Sequence, residues 1–382
     1  MTSKHLLILD LPAGNDTHII QAALARGDSF SFLTSDLSSY EASAEVWEWV
    51  KQARHLVEIE NYNEAEIHLY MKALHQFEHF DALLCLVDHR LEVAARLAQV
   101  LGLKFLNPET AQLLNDKFKV SELLQSKGIA QATCALGVSA DECLVAEPHT
   151  QSRVVGCDVF TRDGLHELLG VSEKKFSDNP SVALEGDCFT PMHEEWEFLE
   201  RYVFSLLDAV GLDWGATHIE LMLTPQGPRC LDIKARLADG QTPSLIGTAL
   251  DACIHSRLID LHLGVPHNMP STAAPRVAVS RWVVAQRSGV FNRVDLPQWQ
   301  DAGIRGVQMH KQPGDWVDNV DRMACVVTTA DTRAQAQALA ERFVADCVVK
   351  YQHIYLVVRN DQPLRSSPMP AQEIFEPRVK HA

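Results

Sequence analysis

Residues 217–236 read THIELMLTPQGPRCLDIKAR, and the fold turns on how this stretch doubles back on itself. Pro225-Gln226-Gly227 is a turn signal between two strand-length runs, THIELML (217–223) and RCLDIKAR (229–236), which predicts an antiparallel pair. Alternate residues of a strand share a face, so Glu220 and Asp232 bring their carboxylates to one side. His218 shares that side with Glu220, and Lys234 and Arg236 follow Asp232 at alternate positions. Acids and cations crowded together in this way are costly unless they bind something. Mg2+ and phosphates are natural guests, since Mg2+ takes one or two carboxylates together with phosphate oxygens. The pattern equally suits a solvated hairpin face laced by cross-strand ion pairs.

Outward from the hairpin, Glu194–Val210 shows a clean helical period, with Trp196, Leu199, Val203, Leu206, Leu207 and Val210 on one face before Gly211. The first hundred residues alternate strand and helix: HLLILDL (5–11), FSFLTS (30–35), LVEIE (56–60), ALLCLVD (82–88) and a short KFLNP strand (104–108), with helices between. Short apolar runs separated by helices predict a parallel sheet covered on both faces. The first strand-to-helix turn, Asp10 to Thr17, lacks GxGxxG, so no dinucleotide fingerprint is present. Glu109–Lys127 reads as two helical pieces, Glu142–Ala146 and Val154–Phe160 as strands, and Ser244–Leu263 as one helix. After a Pro-rich stretch, RVAVSRWVV (276–284), MACVVTTA (323–330) and a helix from Arg333 predict a small antiparallel sheet with one long helix. The expected units are 1–108, 109–265 and 266–361, with 362–382 as a tail.

Hydrophobic residues make up 46% of the 382 and charged residues 22%, ordinary globular proportions. No apolar run reaches membrane-span length, and the N-terminus reads as a first strand rather than a secretory signal. Nine cysteines with no CxxC fit a reducing compartment, so the chain is expected to be cytoplasmic. A net charge of −16 argues against nonspecific nucleic-acid binding. It leaves nucleotide binding open, because phosphates are met locally by Lys, Arg and backbone N–H groups.

The order of these elements resembles the ATP-grasp superfamily, in particular its amino-acid ligase branch, over roughly residues 1–350. NPETAQLLNDKFKVSELLQSKGI resembles the segment whose Asp-Lys pair opens a helix, which implies that Lys117 contacts ATP phosphate. CLVAEPHTQSRVVGCDVF resembles the hinge strand, implying that Glu147 holds adenine or ribose. LLGVSEKKF implicates Lys174 or Lys175 near the phosphates, and HIELML with LDIKARLADG resembles the two metal-bearing strands, making Glu220 and Asp232 Mg2+ ligands. Where the family reads Glu-x-Asn-x-Arg, this chain reads Asp232-Ile233-Lys234-Ala235-Arg236. The resemblance therefore implies an α/β fold of three parts: a Rossmann-like pre-ATP-grasp domain, an ATP-grasp domain with an antiparallel sheet, and a small C-terminal α+β domain. It also implies an ADP-forming ligase that activates a small-molecule carboxylate as an acyl phosphate for attack by an amine, amino acids among them. ATP and Mg2+ are the expected cofactors, with Arg236 and Lys234 at the reacting groups.

Two departures shape the expectation. Only Ala130 to Cys143 separate Gly128-Ile129 from the hinge strand, whereas a lobe of three or four strands needs at least ~25–30 residues, so the ATP-grasp domain reads as truncated. Lys234 stands where an Asn would ligate metal, and an ammonium donates but does not coordinate. The second reading is accordingly a degenerate ATP-grasp scaffold that binds a ligand or partner without turnover. A homo-oligomer is expected to cover the surface the lost lobe leaves bare.

Overall fold

A computed structural model describes residues 3–131, 153–176, 184–265 and 276–352. The chain opens with β1 (His5–Leu9), α1 (His18–Ala25), β2 (Ser29–Thr34), α2 (Ser38–Glu41), α3 (Ala44–Val50), β3 (Leu56–Glu58), α4 (Glu64–Phe77), β4 (Ala82–Cys85) and α5 (Leu91–Leu101). Its four strands form a parallel sheet in the order β3-β2-β1-β4. Both faces are buried, which is why every residue of β1 is apolar or satisfied: Leu6 and Ile8 pack with Ile19 and Ile20, and Leu7 and Leu9 pack with Ile67, Met71 and Leu97.

The expected strand at KFLNP is absent. Leu106 is buried there, but the Asn107 side chain accepts a hydrogen bond from the Glu109 amide and Pro108 takes the first helical position. That cap commits the segment to α6 (Pro108–Leu114). In α7 (Lys117–Ser126), the Asp116 carboxylate accepts from the amides of Phe118 and Lys119. Most of the connector read between Ala130 and Cys143, the strand at Glu142–Ala146, and Glu147 fall outside the described residues.

The second half contains β5 (Arg153–Arg162), β6 (Leu165–Phe176), β7 (Leu184–Thr190), α8 (Trp196–Val210), β8 (Trp214–Thr224), β9 (Gly227–Lys234), α9 (Thr242–Leu250) and α10 (Ile254–His262). It continues through β10 (Val277–Val284), β11 (Gly289–Asp295), β12 (Ile304–Met309), β13 (Trp316–Val317), β14 (Arg322–Ala330), α11 (Arg333–Ala345) and β15 (Val348–Tyr351). Eight strands join in one antiparallel sheet, β12-β14-β10-β7-β6-β5-β8-β9, so the second and third sequence blocks share a single sheet through the β7–β10 pairing. The helix expected over 244–263 is two helices. Asp251 adopts a left-handed φ of 49° and ends α9, a conformation its short polar side chain tolerates better than most. No described helix is long and apolar enough to cross a membrane.

Alternation along the large sheet divides it by chemistry. Val155, Cys157, Val171, Ile219 and Leu221 meet Leu199, Val203, Leu206 and Leu207 of α8 in a dry core. Glu173 also points to a helix-covered side, where Arg333 of α11 grips it with both guanidinium branches and His193 Nε2 lies 3.0 Å away. Burial alone would raise the Glu173 carboxyl, but hydrogen bonds from His193 and Arg333 outweigh it and bring it to about 2. A carboxyl lowered on folding stabilises above its ordinary value, and that stability is lost as pH falls toward the folded value. Urea unfolding should therefore show about 1–2 kcal/mol of stability declining between roughly pH 5 and 2, and Glu173→Gln should flatten that decline.

Candidate functional site

The other face of β5, β6, β8 and β9 is polar. Glu220 and Asp232 are direct cross-strand partners, and the rung continues through Gly156 to Ser172. The next rung holds Lys234, His218 and Asp158. Lys234 Nζ lies 3.8 Å from Glu220 Oε1 and 3.9 Å from Asp232 Oδ2, so the two carboxylates converge on a position already holding a cation. Lys117, the first residue of α7, reaches across and donates to Asp232 Oδ2 at 3.1 Å.

Beneath this group, His218 Nδ1 sits 2.9 Å from Asp158 Oδ1, and His218 Nε2 is 3.9 Å from Glu220 Oε1. Burial pushes the imidazole toward its neutral form, but the charge and hydrogen bond of Asp158, with the charge of Glu220, outweigh burial and raise its pKa. The second Asp158 oxygen, Oδ2, is buried without a hydrogen-bond partner among the described residues. Gly156 makes room for this arrangement, since a Cβ there would stand 2.5 Å from both His218 Cε1 and Ser172 Oγ. Gly156→Ala should displace the His218 ring and cost about 1 kcal/mol or more. The measurement is His218 titration by NMR, where its pKa should fall as the Asp158 contact loosens.

The remaining sequence candidates are distributed unevenly. Lys174 shares the Ser172 face and stands opposite Asp187, whose carboxyl is raised by burial against the pull of Lys174 and neighbouring cations. Lys175 points to the helix-covered side and pairs with Glu341 at 2.8 Å. The regular alternation of β9 ends at Lys234, and Arg236 lies in the following loop. Its guanidinium grips Asp88, beyond the end of β4, at 2.6 Å through Nε and Nη2, and Asp239 at 2.7 and 2.8 Å. Arg236 thus joins the parallel-sheet unit to the hairpin. Sequence reading missed Asp158, Asp187 and Asp88. Asp158 alternates with Gly156 along its strand, but nothing local reveals which residues face it.

For Mg2+, the donor set fits one ion once the Lys234 ammonium withdraws from the point on which the two carboxylates converge. Glu220 and Asp232 converge, Lys234 stands beyond hydrogen-bond distance from both, and phosphate oxygens would complete the shell. It does not fit a second ion, because Lys234 takes the place of a neutral oxygen ligand.

Residues 281–352 match the family described as L-amino acid ligase C-terminal domain 2. Protein y4rH of Sinorhizobium fredii (strain NBRC 101917 / NGR234) is 28% identical over 218 residues. That match covers 54% of this chain and 44% of the relative, so less than half of that curated relative's length is spanned. Among solved structures, phosphoribosylglycinamide synthetase from Anaerococcus prevotii superposes with a TM-score of 0.70 at 13% identity, covering 92% of this chain and 100% of that one. L-amino acid ligase from Bacillus licheniformis gives 0.69 at 15% identity, covering 92% and 99%. The biotin carboxylase domain of Hydrogenobacter thermophilus 2-oxoglutarate carboxylase, solved with MgADP, ADP and bicarbonate, gives 0.62 at 14% identity, covering 91% and 90%. The chain has the ATP-grasp fold, and its residues 281–352 match the C-terminal domain 2 of L-amino acid ligases.

Proposed function

We propose that this protein is an ADP-forming ligase that joins a small carboxylate to an amine through an acyl phosphate. The observation that carries the reading is the convergence of Glu220 and Asp232, ringed by Lys117, Lys234 and His218, on a sheet face of the ATP-grasp fold. In this reaction a substrate carboxylate oxygen attacks the γ-phosphorus of ATP and ADP leaves. The amine then attacks the acyl carbon, phosphate leaves, and the nitrogen gives up a proton.

Glu220 and Asp232 would hold Mg2+, which when bound neutralises phosphate charge. Lys117 and Lys234 bring ammonium groups to the same place, and His218, kept protonated-prone by Asp158, limits repulsion around Glu220. Lys174, on the cleft face, suits the phosphate-binding role that the resemblance offers to it or to Lys175, while Glu147 keeps the adenine or ribose role as a proposal. Arg236 has its donors engaged by Asp88 and Asp239, so contact with an acyl phosphate would require one carboxylate to yield. In its resting arrangement it positions the hairpin against the N-terminal unit.

A second reading, binding without turnover, is favoured by one observation: an ammonium already occupies the point on which the carboxylates converge. The two separate in a coupled assay with ATP, Mg2+ and a panel of amino acids. ADP release that requires amino acid supports the ligase; ligand binding without ADP release supports the scaffold.

A further inference from the structure

One edge of the parallel sheet is open. β3 pairs with β2 on one side, and among the described residues no strand pairs with its other side. The phase of the ladder fixes which groups are free. The His55 carbonyl accepts from the Phe32 amide and the Ile59 amide donates to the Thr34 carbonyl, so the odd-numbered residues spend their backbone groups on β2. Leu56 and Glu58, which alternate with them, turn N–H and C=O outward. Three residues are too short to hold a partner by backbone alone, so what flanks the edge decides.

Helix α4 flanks it. Between β3 and α4 runs an open groove of about 750 Å3, lined on the helix side by Glu66, Tyr70, Met71 and Leu74. Tyr70 is 57% exposed, and Phe77, two turns further along the same flank, is 83% exposed, with Leu69 beside them at 66%. A helix packed on a monomer's surface turns polar residues to water at such positions. With side chains of ~200 Å2, these three leave roughly 400 Å2 of largely apolar surface bare. That is about half of the ~800 Å2 per partner that a specific interface buries, and the strand edge adds to it.

The flanking charges select the occupant. Arg54 precedes the strand and Glu60 follows it, both exposed. Antiparallel pairing of β3 with itself, centred on Val57, sets Leu56 against Glu58 of the other copy and satisfies all the free N–H and C=O groups of both residues. The same register sets Arg54 against Glu60 of the other copy, twice over. Its two-fold axis stands perpendicular to the sheet, so both α4 helices lie on one face of the joined sheets and their bare apolar flanks meet. Centring the pair on Glu58 would instead oppose two identical carboxylates.

We propose that this protein pairs with a second copy of itself through the β3 edge and the apolar flank of α4, with Val57 on the two-fold axis. This surface lies on the N-terminal unit, away from the truncated ATP-grasp domain whose bare surface first suggested an oligomer. The pairing is independent of nucleotide and of the Glu220–Asp232 face.

The test is sedimentation velocity on the full chain over a range of micromolar concentrations, with no ATP present. The unmodified chain should sediment as a dimer. Phe77→Asp and Arg54→Glu should each raise the dissociation constant by about tenfold or more, with unchanged circular dichroism because both side chains are largely exposed. Arg54→Glu combined with Glu60→Arg should return it to within about threefold of the original, since the reversed charges again face each other. Val57→Cys supplies a second measurement. Two residues on the axis would have Cα atoms about 4.5 Å apart, inside the range a disulfide spans, so mild oxidation should link this variant into a dimer and leave the unmodified chain unlinked. A monomer throughout, a dimer indifferent to Phe77→Asp and Arg54→Glu, a charge-reversed pair that stays dissociated, or no link through Cys at 57 would each overturn the proposal.

Discussion

Replacing Arg236 by Ala is expected to destabilise the folded chain by about 2–3 kcal/mol in urea unfolding. The guanidinium is 8% exposed and makes two paired contacts, one to Asp88 of the N-terminal unit and one to Asp239 of its own loop. Its removal leaves two carboxylates facing one another with nothing between them. Both acids keep substantial contact with water, which holds the loss below that of a fully buried pair. Arg236→Lys should recover little, because a single ammonium cannot engage two carboxylates in a fork-to-fork manner. A double-mutant cycle with Asp88→Asn isolates the inter-unit contact, and a coupling energy near zero would show that Arg236 does not tie the units together.

Lys234→Asn is expected to act in opposite directions on two measurements. Without divalent ions the protein should lose about 0.5–1 kcal/mol, since Glu220 and Asp232 lose the cation between them while remaining partly open to water. With Mg2+ present, affinity for ATP should rise by about fivefold to tenfold, because the convergence point is vacated and a neutral oxygen ligand is supplied. A fall in anion affinity with no gain from Mg2+ would instead show that Lys234 itself is the anion-binding group. That result would favour the scaffold reading.

The central hairpin was legible because its logic is local. Parity across a short turn places Glu220 opposite Asp232 whatever the rest of the chain does. Periodicity likewise exposed α8, whose apolar stripe packs on the sheet. What the sequence concealed depends on distant partners. Asp158 meets His218 across 60 residues and Asp88 meets Arg236 across 148, and neither pairing leaves a spacing signal. The expected alternation carried Arg236 onto the Lys234 face, but parity holds only while a strand continues, and β9 stops at Lys234. The single helix read over 244–263 failed for a related reason: Asp251 enters the left-handed region without the glycine that usually announces it. The continuity of the large sheet rests on β7 pairing with β10, a contact across the block boundary that composition had drawn.

Whether the Glu220–Asp232 face is the ligase site proposed above is decided by ATP binding to the unmodified protein, measured by calorimetry with Mg2+ and again with EDTA, alongside Glu220→Gln. Binding that requires Mg2+ and weakens by about tenfold or more in Glu220→Gln is the expected result. Failure to bind ATP under either condition, or binding indifferent to both Mg2+ and Glu220, would contradict it.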